Sequence, residues 1–110
     1  MRSATLVAAL SVVLGTMGVA TGDPPKSKTH TVTIEAMRFQ PAVLTVAAGD
    51  TIVWVNKDLV PHTATSKAGG FDSTEIQADK SWRHTIQTTG EFAYICTFHP
   101  TMKAVLRVEP

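Results

Sequence analysis

From His30 the chain alternates apolar and polar positions, with Val32, Ile34 and Ala36 set against Thr31, Thr33 and Glu35. A period of two is the signature of a half-buried strand. Met37-Arg38-Phe39-Gln40-Pro41 interrupts the alternation, and Val43-Leu44-Thr45-Val46 restores it before a turn at Ala48-Gly49-Asp50. In Thr51-Ile52-Val53-Trp54-Val55-Asn56, residues Ile52, Trp54 and Asn56 share one face, and β-branched and aromatic side chains dominate as a central strand prefers. A loop from Asn56 reaches Pro61-His62 and leads into a short strand over Thr63-Ala64-Thr65-Ser66. Lys67 to Lys80, with Ala68-Gly69-Gly70, reads as a connection. Trp82, His84 and Ile86 then alternate with Arg83, Thr85 and Gln87, the Thr88-Thr89-Gly90 turn leads to Glu91 through Cys96, and Ala104 to Glu109 makes a last strand. About seven to eight strands separated by turns, with no helical period, predict an all-β Greek-key antiparallel sandwich over 30–110.

The N-terminal part has a different pattern. Arg2 precedes an apolar run from Ala4 to Leu14, followed by Gly15, Thr16 and the small residues Gly18-Val19-Ala20. This layout predicts a secretory signal peptide over 1–20, because the uninterrupted apolar run is shorter than the ~20 residues that span a bilayer. The sequence TGDPPKSKT over 21–29 reads as a flexible arm. The expected mature protein is therefore periplasmic, with no stable insertion in a membrane.

Composition narrows the function. The chain has 110 residues, 44% of them hydrophobic and 17% charged, which fits one core and not two. Ten Lys and Arg, less Arg2, leave nine basic side chains against nine acidic ones, so there is no electrostatic footprint for nucleic acid. No carboxylate pair or serine motif suggests acid-base or nucleophilic catalysis, and an enzyme is not expected. Nothing in the composition demands more than a monomer.

A single cysteine excludes an intramolecular disulfide, and in an exported chain it is either a reactive thiol or a metal ligand. Its neighbours decide. Cys96-Thr97-Phe98-His99-Pro100-Thr101-Met102 places a thiol, an imidazole and a thioether in one loop between two strands. With a second imidazole from His62, brought by another loop at the same end of a sandwich, this is the donor set that selects copper: a trigonal thiolate and two imidazoles with a weak, long thioether. Zinc prefers closed Cys/His sets without a thioether and fits less well. Of the remaining candidates, Met37 is expected to pack beside the site, His30 to be solvated, and His84 to be partly buried beside Trp82 and Ile86.

Several ordered motifs carry a family resemblance: Met37-x-Phe39-x-Pro41, Gly49-Asp50-Thr51, Trp54-Val55-Asn56, Pro61-His62, Gly90-x-Phe92-x-Tyr94-x-Cys96 and Cys96-x-x-His99-x-x-Met102. In these the chain resembles the small blue copper proteins, the cupredoxins, and most of all their amicyanin and plastocyanin group, over 30–110. The two-residue gap between His99 and Met102 is the amicyanin spacing. The resemblance implies that His62, Cys96, His99 and Met102 bind one copper ion that cycles between Cu(I) and Cu(II), and that the protein shuttles single electrons between a donor and an acceptor docking transiently near His99. It also implies an apolar patch there, which Val60, Pro61, Phe98 and Pro100 can supply. Two positions depart from the family pattern, Phe98 where proline is usual and Thr63 where asparagine is frequent. A copper-binding role in trafficking or storage is the alternative.

Overall fold

The computed structural model describes residues 26–110, together with Ser3, Ser11 and Gly15 of the preceding segment. The expected signal peptide, those three residues apart, and positions 21–25 of the expected arm lie outside the described residues. Nine strands follow in order: β1 (Thr29–Glu35), β2 (Arg38–Gln40), β3 (Val43–Ala47), β4 (Thr51–Asn56), β5 (Thr65–Ser66), β6 (Phe71–Asp72), β7 (Ser81–Thr85), β8 (Gly90–Ile95) and β9 (Lys103–Glu109). They form two sheets, β2-β1-β4-β7 and β3-β9-β8-β5-β6. The result is the expected all-β sandwich.

Two pairings, β1 with β4 and β3 with β9, are parallel, so the sandwich is mixed where a purely antiparallel one was expected. Both pairs join strands whose connecting chain passes through other strands, so no tight turn forces them antiparallel. The alternation along β4 is realised directly: Ile52, Trp54 and Asn56 are buried while Thr51, Val53 and Val55 are half-buried. Trp54 and Tyr94 are the two largest fully buried side chains; Trp54 packs edge-on to Tyr94 and tilted against Trp82 and Phe71. Burial pushes the Tyr94 phenol up to about 12. His84 lies half-buried and stacked on Trp82, as expected, and burial lowers its pKa.

Four local features differ from the reading of the sequence, one of them β6, which pairs with β5 inside the stretch 67–80 that reads as a connection. Arg38–Gln40, where the alternation broke, is a short strand that pairs antiparallel with β1. The two turn residues between them, Ala36 (φ 53°) and Met37 (φ 59°), are both left-handed, the conformation that tight hairpins require. Met37, expected to pack beside the site, is 40% exposed at this turn. His30, expected to be solvated, is half-buried in β1 with Nε2 2.9 Å from the Asp50 carboxylate.

Candidate metal centre

Two chain segments reach one end of the sandwich from different sheets. Residues 57–64 leave β4 in the first sheet, and residues 96–102 join β8 to β9 in the second. His62 is held by an isolated antiparallel bridge to Ile76, its N–H donating to the Ile76 carbonyl at 3.1 Å and its carbonyl accepting from Ile76 at 2.8 Å. In the other segment, Cys96 N–H donates to the Met102 carbonyl at 3.2 Å and Met102 N–H to the His99 carbonyl at 2.9 Å. The loop thereby closes on itself with Cys96, His99 and Met102 drawn together.

The geometry brings His62, Cys96 and His99 into one cluster whose possible donor atoms lie within 4.8 Å of one another. Cys96 Sγ is 3.6 Å from His62 Nδ1 and 3.8 Å from His99 Nδ1. A first-row ion about 2.3 Å from sulfur and about 2.0 Å from nitrogen, with a donor angle of about 110–120°, would separate S from N by roughly 3.5–3.7 Å. The protein thus spaces these atoms as donors to one ion. Met102 is buried at the base of the same loop, and a thiolate, two imidazoles and a thioether are a copper set. His62 and Cys96 are fully buried, whereas His99 is half-buried.

The surroundings orient these donors. His62 Nε2 lies 2.8 Å from Asp58 Oδ2. A carboxylate can only accept, so Nε2 carries the hydrogen and Nδ1 keeps its lone pair directed at the cluster. Asp58 also accepts from the left-handed turn, from Ala36 N–H at 2.7 Å and Met37 N–H at 3.0 Å. Burial pushes the Asp58 pKa up, but the Met37, His62 and Ala36 donors outweigh it and leave the group below its ordinary value. Asn56, fully buried, donates from Nδ2 to the carbonyls of Val60 (2.9 Å) and Ile76 (3.0 Å) and accepts from Asp58 N–H at 2.9 Å. It fixes both sides of the His62 loop.

Thr63 ties the two segments together. Its N–H donates to Cys96 Sγ at 3.3 Å, and its hydroxyl accepts from Thr97 N–H at 2.9 Å. A backbone donor on the sulfur withdraws electron density from a thiolate and is a means of tuning a bound metal.

All four residues expected at the site are therefore found at one end of the fold. Sequence reasoning passed over the roles of Asp58, Asn56 and the Thr63 hydroxyl. An acidic residue four positions before His62 in the same loop was the available signal for Asp58, and the inward phase of β4 was the signal for Asn56. Of the apolar residues expected near His99, Val60 is 43% and Phe98 51% exposed, and Leu59, in the same loop as Val60, is 94% exposed.

With sandwich and donor cluster established, the class of protein follows: residues 6–108 match the Cupredoxin-like domain family, and the chain belongs to it. Within that class it is similar to amicyanin of Paracoccus versutus, 32% identical in an alignment of 96 positions that covers 83% of this chain and 72% of that protein. Among solved structures, an amicyanin mutant in its oxidized state superposes with a TM-score of 0.68 at 26% identity, over 74% of this chain and 82% of that one. A Cu-containing nitrite reductase from Thermus scotoductus SA-01 gives a TM-score of 0.70 at 29% identity, over 74% of this chain but 22% of the reductase. Copper is the cofactor that family and donor set have in common. Among the described residues, no helix is long and apolar enough to cross a membrane.

Proposed function

We propose that the protein is a periplasmic electron carrier whose one copper ion is held by Cys96, His62 and His99, with Met102 as the weaker fourth donor. The observation that carries this reading is the spacing of Cys96 Sγ from the two imidazole nitrogens, 3.6 and 3.8 Å. Bound copper supplies one-electron chemistry, alternating between Cu(I) and Cu(II). The chain supplies the rest. Thiolate and thioether suit the reduced ion and imidazoles suit both states, so one donor set serves both. Because Asp58, Asn56 and Thr63 brace the donors from outside, the protein need not rearrange between states, and a small rearrangement keeps the barrier to transfer low.

His99 is the exit, since it alone of the three clustered donors is not fully buried. Leu59, Val60 and Phe98 surround this end with exposed apolar side chains suited to brief docking with redox-protein donors and acceptors. Residues 1–20 serve as the export signal, residues 21–29 as an arm, and 30–110 as the working domain, a monomer. Four donors from the protein leave no open position for a substrate, which argues against catalysis. The likeness to the nitrite reductase extends to 22% of that chain and does not bring its activity here.

Aerobic purification with copper, followed by a visible spectrum, tests the reading. The expected result is an intense thiolate-to-copper band in the wild type that disappears in Cys96→Ser. A colourless wild type that binds no copper overturns it. A coloured protein that surrenders its copper rapidly to a chelator would favour trafficking or storage instead.

A further inference from the structure

Beyond the metal donors and their immediate partners, a line of hydroxyls leads away from the site to the surface. Thr97 Oγ1 is 3.1 Å from Thr63 Oγ1, which is 2.9 Å from Thr65 Oγ1, which donates to Asp72 Oδ1 at 3.0 Å. Thr65 and Asp72 are directly opposite each other in the β5–β6 pair. The far end is anchored, because Asp72 Oδ1 also accepts from Thr74 N–H at 2.9 Å.

Each threonine hydroxyl has one hydrogen to give. The Asp72 carboxylate accepts only, so the Thr65 hydrogen is committed to it. Thr65 must then accept from Thr63, which commits the Thr63 hydrogen. Thr63 Oγ1 is left with acceptor capacity alone, and it accepts twice from Thr97, from its N–H at 2.9 Å and from its hydroxyl. The order runs one way, Thr97 to Thr63 to Thr65 to Asp72.

We propose that Asp72 and Thr65 are positioning residues: a carboxylate outside the metal site sets the direction of the hydroxyl line, so that Thr63 Oγ1 takes both the N–H and the hydroxyl hydrogen of the residue after Cys96 and, polarised along the line, accepts them more strongly. Thr63 also gives its N–H to the cysteine sulfur, so this pairing holds the residue whose backbone faces that sulfur. Without the terminal acceptor, the Thr65 hydrogen can turn back towards Thr63 and the Thr63 hydrogen towards Thr97; Thr63 then still accepts the Thr97 N–H, but as a weaker acceptor no longer polarised by a carboxylate.

Hydrogen exchange of the Thr97 amide in the metal-free full-length chain tests this, with exchange of the β4 and β8 core amides as the control for folding. Thr65→Val and Asp72→Ala are each expected to speed Thr97 exchange about twofold, the value for a hydrogen bond of about 1–1.5 kcal/mol that loses roughly a third of its strength. The double variant should be no faster than either single one, because both cut the same line. Asp72→Asn retains an acceptor oxygen and should restore wild-type exchange. Wild-type exchange in both single variants, multiplying effects in the double variant, or failure of Asp72→Asn to rescue would each overturn the proposal. The proposal bears on the copper reading but its readout requires no metal, so a wild type that took up no copper would sink the electron-carrier function and leave this inference standing.

Discussion

At the scale of single residues, the centre depends as much on the groups behind the donors as on the donors. A histidine presents two nitrogens to a metal, and only a fixed partner on one assigns the other. Asp58 is that partner for His62, 2.8 Å from Nε2. Asp58→Ala is therefore expected to lower copper affinity about 10–100-fold, the usual consequence of losing an outer partner of a ligating histidine, as read by titration against a competing chelator. Unchanged affinity would mean that packing alone orients the ring. The donors themselves were legible in the sequence because Cys96, His99 and Met102 occupy one loop at fixed gaps. Asp58 was not, since an exposed-looking loop carboxylate reveals its partner only when the loop is folded.

At the scale of elements, the β1–β2 hairpin is held in a conformation that its own residues do not favour. Ala36 and Met37 have φ of 53° and 59°. Left-handed backbone costs a residue with a Cβ roughly 1–2 kcal/mol, and the two N–H···Asp58 bonds offset that here. Met37→Gly removes the penalty at an exposed position and keeps the donor. It is expected to raise stability by about 0.5–1 kcal/mol, visible as a higher urea midpoint with an unchanged slope. A lower midpoint would show that the methionine side chain contributes packing. Nothing along the chain marks this turn: it lacks the Asn-Gly or Asp-Gly pair that normally does, so the hairpin reads as a gap in the alternation.

At the scale of the whole molecule, the two ends of β4 do different work. Asn56 opens the metal-site loop, while at the other end Asp50 fastens the start of β1, accepting from Lys28 N–H at 2.8 Å, His30 Nε2 at 2.9 Å and Ala47 N–H at 3.0 Å. The Lys28 backbone bond first, then His30 and Ala47, lower its pKa to about 2. A carboxyl depressed in the folded state adds stability that is complete above its unfolded value near 3.9 and is lost as pH falls towards about 2. Urea denaturation at pH 5, 4 and 3 should accordingly show wild-type stability declining across that window, with a shallower decline in Asp50→Asn. Parallel curves would exclude Asp50 as the source. His84 acts in the same direction at higher pH, because burial lowers its pKa and the unfolded chain binds the proton first. At the donor end, Phe98 stands 51% exposed beside His99. Phe98→Glu should slow electron exchange with a redox partner while leaving the visible spectrum unchanged, and equal rates would place docking elsewhere. By itself the sequence determined the longer strands, the sandwich and the four candidate donors, because alternation and short-range spacing are properties of neighbours along the chain. Only the tertiary structure decided the parallel pairings of β1 with β4 and β3 with β9, the Asp58 and Thr63 braces, and the 3.6 Å approach of His62 to Cys96. These join residues far apart in sequence or turn on backbone conformations that no local pattern records, and they exist only once both sheets have closed over one core.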